Sequence, residues 1–487
     1  MRRVAAIDIG SNSVRLAVYG VVGSALISLF DEKASCGLGK ELALTGCLSA
    51  AGKISAIKEL RRFSDLADDS NIEALYPFAT AAVRDAADGD EFIAQIEAET
   101  GLKVDVISGL DEARFAALGV SGAVRGATGI VGDLGGGSLE LVRLVNGEVR
   151  EHATLQIGAL MRPIDASPAE MAEWLKGHLT GVGWLSDGAH GDFYLVGGAW
   201  RSFARAHMKH TGYPLSVIHE YAIPTDAAIE VADLISMMGE RSMALMNSVS
   251  RRRRDIMPYA ALALSSIAAI TKPNAIVASS HGLREGIVRH KVGLAKCVVG
   301  DPFLDYCRFA GGTTARITPD GDAIRTWLAP LFASVDAETA RWIEGACWLA
   351  DLAGRDHPDR RADIALARGL HVPAVAISHA GRAFLGTALQ ARYSGGKAEN
   401  ISAISAQLLT PDQLQTATRL GTILRLAHAV SPSGLSLSRC DVALADQSLT
   451  LDGPHALLDG ETIARRLKSA ALAFDCEPAL NTRALAA

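Results

Sequence analysis

Two segments of the sequence repeat one arrangement of acid, glycine and hydroxyl. In VAAIDIGSNSVRL, Asp8 stands near the end of an apolar run and is followed by Gly10, Ser11, Asn12 and Ser13; in GIVGDLGGGSLELV, Asp133 is followed by Gly135, Gly136, Gly137 and Ser138. Aligning them puts Asp8 with Asp133, Gly10 with Gly135, Ser13 with Ser138 and Arg15 with Glu140. Glycine removes the side chain, so backbone N–H groups can approach an oxyanion, and the hydroxyls and the Asn12 amide add neutral donors. A carboxylate at a strand end suits Mg²⁺, which prefers oxygen ligands and keeps several waters. The repeated loops therefore read as a phosphate cradle with a metal carboxylate at Asp133 and its repeat partner Asp8. Either loop taken alone would be an ordinary tight hairpin.

Rigid elements must hold such loops. Residues 4–9 (VAAIDI) and the following VRLAVYGVV predict two strands of a hairpin, and 129–145 predicts a second hairpin of the same kind. Between them, helical patterns (SAAGKISAIKELRRFSDLADDS, DEFIAQIEAETG) alternate with short apolar strands (EALYPFAT, KVDVISG), the order of an α/β layer structure. The strand VDVISG runs into DEARFAALGV, so Glu112 opens a helix and is pointed into the crevice from a rigid element; Asp111 and Glu112 would also favour a helix N-terminus through its dipole. A third glycine-bearing strand end, FYLVGGAWRSFARAHM, leads into a helix at Gly198. From about residue 298 the periodicity is mostly helical, and DVALADQSLTLDG with DGETIARRLKSAALAF reads as a small strand pair and a helix. The expected parts are residues 1–120, 121–297, 298–434 and 435–487.

Composition narrows the class. With 487 residues, the chain is too long for one core. A net charge of −6 argues against a general nucleic-acid binder, yet a local basic run can still attract a polyanion, because fields reach ~8–10 Å at physiological salt. Arg251, Arg252, Arg253 and Arg254 form the densest such run. The seven cysteines are odd in number, far apart and without a CxxC pair, which predicts free thiols in a reducing compartment and no zinc site. The N-terminal apolar stretch is too short for a signal peptide, and no run approaches the ~20 residues that span a bilayer. A cytoplasmic protein with no membrane partner is expected.

In their order and spacing, AAIDIGSNSVRL (5–16), ATAAVRDA (79–86), ISGLDEARFAALGV (107–120), VGDLGGGSLELV (131–142), RRRRDIMPYA (251–260) and SSHGLREG (279–286) resemble the exopolyphosphatase and guanosine-pentaphosphate phosphohydrolase family of the actin-like ATPase superfamily, over essentially the whole chain. The resemblance implies two actin-like, ribonuclease H-like α/β half-domains with a cleft between them, an all-α HD-like domain and a small α+β tail. It implies hydrolysis of the terminal phosphoanhydride of inorganic polyphosphate or of guanosine pentaphosphate, with Mg²⁺ or Mn²⁺, stimulation by K⁺, and a homodimer. By the same resemblance Glu112 is the general base, in a motif whose first acid is Asp111 here. Asp8, Asp133 and Glu140 serve the metal and the water, and Arg84 contacts phosphate oxygens alongside the glycine loops.

Departures from the family pattern matter as well. Ala199 stands where Thr is common, which puts the phosphate contact of the third loop in doubt. The helical part lacks a paired His-Asp, has Ser394 where His is frequent and His428 where an aspartate is needed, so His357, His371, His379 and His428 are expected to be structural or surface residues. A kinase of the same superfamily is the competing enzyme reading, and Ala199, Trp200 and Arg201 make a poor adenosine cradle. A binding module without catalysis is the competing non-enzyme reading, and carboxylates at 8, 112, 133 and 140 facing a polyanion argue against it unless metal is present. Arg355, Arg360, Arg361, Arg382 and Arg392 are expected to extend the 251–254 run into a track for long polyphosphate.

Overall fold

Residues Arg2–Ile9 (β1) and Ser13–Val22 (β2) pair antiparallel with Asp8 opposite Arg15, and the Gly10 N–H closes the tip on the Ser13 carbonyl at 3.1 Å. Ala25–Ser35 (β3) extends the hairpin, while Ala74–Ala79 (β4) and Asp105–Val106 (β5) add parallel strands in the order β3-β2-β1-β4-β5. Gly129–Leu134 (β6) and Leu139–Val145 (β7) repeat the hairpin in the same register, with Asp133 opposite Glu140 and the Gly135 N–H on the Ser138 carbonyl at 2.9 Å. With Glu148–Leu155 (β8), Asp192–Val196 (β9), Tyr221–Pro224 (β10) and Ala275–Ala278 (β11), the second sheet runs β10-β11-β9-β6-β7-β8. Read from β8, this is the succession of the first sheet with β10 added at the edge. The repeat in the sequence is thus a duplicated fold, and both glycine loops leave the carboxyl ends of the central strands, where open α/β sheets collect ligands.

This computed structural model describes residues 1–163, 166–187, 191–294, 300–396 and 402–483, without the side chains of Ala43 and Leu245. Two compact units are formed, Met1–Gly300 and Asp301–Ala487.

In the first unit, β1 is apolar on both faces because both are covered. Ala5, Ile7 and Ile9 pack with Leu60 and Phe63 of the Ala50–Asp69 helix, and Val4 and Ala6 pack with Ile287 and Val288 of the Leu283–Lys291 helix. That last helix follows β11 of the second sheet in sequence yet lies against β1 of the first. It also crosses the Gly109–Ser121 helix at very short range: a Cβ on Gly286 would fall 1.7 Å from the Phe115 carbonyl, and one on Gly119 would fall 2.1 Å from the Gly282 carbonyl. Backbones this close leave room only for glycine.

The second unit is mainly helical, with Pro302–Thr314, Ala337–Trp348, His379–Ser394 and Pro411–Val430 among its helices. Asp441–Ala445 (β12) and Ser448–Pro454 (β13) form the expected hairpin, turning at Asp446 and Gln447 with φ of 46° and 57°. After the Glu461–Ala473 helix, Glu477–Arg483 (β14) returns parallel to β13, a strand absent from the sequence reading. Its residues are mostly exposed, so it shows no apolar alternation. Cys36, Cys47, Cys307, Cys347, Cys440 and Cys476 are unpaired, and Cys297 lies outside the described residues. Among the described residues no helix is long and apolar enough to cross a membrane.

Candidate active site

The two glycine loops meet. A Cβ on Gly136 would lie 2.5 Å from the Ser11 hydroxyl, so the 135–138 loop is folded against the 10–13 loop with the Ser11 side chain directly on the Gly136 backbone. Together with the 197–198 turn they wall a cavity of about 460 Å³. Gly197 has φ of 87°, and a Cβ there would fall 2.8 Å from the Asp133 carboxylate, so only glycine lets β9 turn past that acid.

Most residues singled out in the sequence converge here. Asp8, Gly10, Ser11, Asn12, Ser13, Glu112, Asp133, Gly135, Gly136, Gly137, Ser138, Gly198 and Arg253 all line the cavity. Glu112 is placed by its helix start: the Ser108 hydroxyl accepts the Asp111 N–H at 3.1 Å and donates to the Asp111 carboxylate at 2.8 Å, which fixes the next residue in the first turn. Asp111 therefore serves the cap in place of the longer acid expected there.

Three expectations need correction. Glu140 does not line the cavity: it is 2% exposed and its carboxylate accepts from the Ser138 hydroxyl, so it anchors the loop from beneath. Burial, with the charges of Glu112 and Asp133, pushes its pKa well above the carboxylate range. Arg84 also sits outside the wall. It donates to the Ile107 carbonyl at 3.0 Å, to Asp85 at 3.0 Å and to Glu112 at 3.4 Å, and so holds the candidate base from behind.

The basic track is the third. Of the 251–254 run, only Arg253 lines the cavity; it donates to the Ser202 hydroxyl at 2.9 Å, and Gly198 makes room for it, since a Cβ there would be 2.5 Å from Arg253 Nη2. Arg254 turns to the Val249 and Met246 carbonyls, Arg252 bonds Ser35, and Arg251 is exposed. In the second unit Arg382 and Arg392 are buried, the first on the Val372 and Ala374 carbonyls and the second on Asp351 at 3.1 Å, so neither can belong to a surface track. Arg355 and Arg360 are exposed and Arg361 is half-buried.

The reading missed four cations of the wall, Arg15, Lys33, Arg201 and Arg284, and the acid Glu285 beside them. Arg284 reaches Asp8 at 3.4 Å, and Arg201 donates to the Ser279 carbonyl at 3.3 Å. Glu285 accepts from the Tyr19 hydroxyl at 2.5 Å and the Gly282 N–H at 2.9 Å. Burial alone would raise the Glu285 pKa, but Arg284 and His281 pull it down to about 2, so this acid stays charged and fixes Arg284. Arg284 and Glu285 belong to SSHGLREG and Arg201 to VGGAWR, segments already conspicuous in the sequence; what pointed to no role was their distance along the chain from Asp8.

The other acids behave differently. Burial raises Asp8 against the pull of Arg284, Arg15 and Lys33, raises Asp133 to about 6 against Arg201, and, with the charge of Asp133, raises Glu112 to about 7 against Arg84. Among the described residues no three of His, Cys, Asp and Glu are arranged to hold a metal by themselves. Desolvated carboxylates at Asp8 and Asp133 nevertheless fit Mg²⁺ in its usual mode, held by one or two carboxylates, waters and substrate phosphate.

The histidines of the second unit make no comparable centre. His428 stands 3.3 Å from Arg316, which with Arg392 already occupies Asp351, and burial pushes its pKa down to about 4. His379 is buried, while His357 and His371 are exposed.

A duplicated β3-β2-β1-β4-β5 layer with glycine loops facing one acid-lined cavity is the actin-like class of phosphate-handling fold. The model of the Ppx/GppA phosphatase family matches residues 17–294, and that of the exopolyphosphatase C-terminal region matches 326–474. The chain belongs to the Ppx/GppA phosphatase family. Exopolyphosphatase 1 of Mycobacterium leprae is 31% identical over 160 residues, covering 32% of this chain and 47% of that protein, so the chain spans about half the length of this relative. Retrograde regulation protein 2 of Saccharomyces cerevisiae is 25% identical, over 88% of this chain and 81% of its own. Among solved structures, the Aquifex aeolicus member of the family superposes with a TM-score of 0.54 at 26% identity, over 61% of this chain and 99% of that one. An exopolyphosphatase from Cytophaga hutchinsonii shares the fold with a TM-score of 0.56 at 20% identity, over 61% and 99%.

Proposed function

We propose that this protein removes the terminal phosphate of inorganic polyphosphate by metal-assisted hydrolysis. One observation carries the reading: a half-buried, ionisable Glu112 shares a cavity with Asp8 and Asp133, two glycine loops, and the basic groups of Arg15, Lys33, Arg201, Arg253 and Arg284. A terminal phosphoanhydride is a cluster of charged oxygens, and its cleavage needs neutralisation, in-line placement and an oriented water. The Gly10–Ser13 and Gly135–Ser138 segments supply backbone N–H groups and hydroxyls for the terminal phosphoryl oxygens. The basic side chains meet the phosphates behind it. Asp8 and Asp133 would hold Mg²⁺, which when bound neutralises the charge that builds on the leaving oxygen. Glu112, held by Arg84, accepts the proton of the attacking water.

Orthophosphate release from polyphosphate by the full chain tests this. Release with Mg²⁺ that stops in chelator and returns on adding the metal is expected, and full activity in chelator would reject the metal-assisted scheme. Guanosine pentaphosphate ends in the same anhydride and is assayed beside it; a higher kcat/KM for that nucleotide would transfer the assignment to it.

A further inference from the structure

Most arginines of the second unit have partners. Arg341 is bonded to Asp301, Arg316 and Arg392 to Asp351, Arg368 to Asp356 and Arg419 to Asp475. Arg425 and Arg466 do not: both are half-buried, and among the described residues neither makes a hydrogen bond or an ion pair. They lie on helices Pro411–Val430 and Glu461–Ala473, which pack together beside the turn that ends helix His379–Ser394.

That turn is built from Gly395 and Gly396, with φ of 88° and 75°. A Cβ on Gly395 would fall 2.2 Å from Arg425 Nη1, so the guanidinium rests on bare backbone. The Ser469 hydroxyl, one turn from Arg466, donates to the Gly395 carbonyl at 3.4 Å. Burial holds the Arg425 pKa down to about 10, and each charged neighbour acting on it, Arg466, Arg392 and Arg465, is another cation. Burial and Arg465 lower Arg466 in the same way. Half-buried like charges without a counterion cost stability. The end of helix His379–Ser394 offers only about half a negative charge, against two full positive ones, and Arg425 bonds none of its carbonyls.

We propose that Arg425 and Arg466, seated where the side-chain-free Gly395–Gly396 turn leaves room, bind a phosphoryl oxyanion at a site that shares no residue with the catalytic cavity. A forked guanidinium matches two oxygens of such a group, and a second cation beside it completes the charge match. The group is either free orthophosphate or one phosphate of a longer chain.

Calorimetric titration of the full chain at low ionic strength in chelator, with orthophosphate and with tripolyphosphate, decides. A binding event is expected that Arg425→Gln and Arg466→Gln each weaken tenfold or more and that Arg425→Lys largely retains. Saturation by orthophosphate alone identifies a single-phosphate site, and binding of tripolyphosphate only identifies a chain site. In phosphate-free buffer both glutamine variants should melt at or above the wild-type temperature, because each removes a repulsion. Binding unchanged in either glutamine variant overturns the proposal. So does a lower melting temperature in both variants with phosphate binding intact, which would make the pair a structural support of the helix end.

Discussion

In the proposed scheme, the chemistry turns on the pair formed by Glu112 and Arg84. A general base works as the ionised form, and burial together with the Asp133 charge raises the Glu112 pKa to about 7, so kcat/KM should fall as pH drops through that value when Mg²⁺ is limiting. Arg84 opposes the rise. Arg84→Gln removes that opposition and should shift the acid limb of the profile to higher pH, while rates well above the limb change much less. A pH profile of kcat/KM for both proteins checks this; an unmoved limb would mean that Arg84 does not act on Glu112. A divalent cation at Asp133 cancels the repulsion that raises Glu112, so the wild-type limb should also move to lower pH as Mg²⁺ is increased.

At the scale of elements, the close crossing of two helices places the charges. The Leu283–Lys291 helix carries Arg284 to Asp8, and Gly286 lets it approach the Gly109–Ser121 helix that carries Glu112. Gly286→Ala would set a methyl 1.7 Å from the Phe115 carbonyl, so the helices must part. Overpacking of this kind costs ~1–3 kcal/mol, and a melting temperature lower by several degrees with a reduced kcat is expected. A variant as stable and active as the wild type would show that the crossing does not set the site. The hairpins around Asp8 and Asp133 were legible in the sequence because apolar runs and glycines mark them locally, and the repeat fixed their equivalence. Helix starts were legible too, and Glu112 stands in the first turn of its helix and on the cavity wall. Glu140 was misplaced because its alternation on β7 says which face it shares with Asp133 but not that the Ser138 side chain intervenes. Arg284 went unassigned because its role exists only once a late helix returns to the first strand. Strand β14 has no periodic signal and is defined by its pairing to β13.

Over the whole molecule, a net charge of −6 coexists with a cavity where five basic side chains face five acids, so composition does not show how charge is arranged at the site. Buried arginines mislead in the opposite direction: Arg382 and Arg392 looked like a surface track and instead fasten the interior of the second unit. Charge in this protein acts through where the fold desolvates it. The central claim is that the half-buried carboxylate of Glu112 activates water against a phosphate bound by its neighbours. It is tested most directly by single-turnover phosphate release from polyphosphate with saturating Mg²⁺, in the wild type and in Glu112→Gln, with the affinity of each for the chain measured alongside. The neutral amide keeps the shape and loses the base, so the rate should fall by ~10²–10⁴ with affinity nearly unchanged. A variant that keeps more than a third of the wild-type rate, or that loses the rate only by losing the chain, would contradict the assignment.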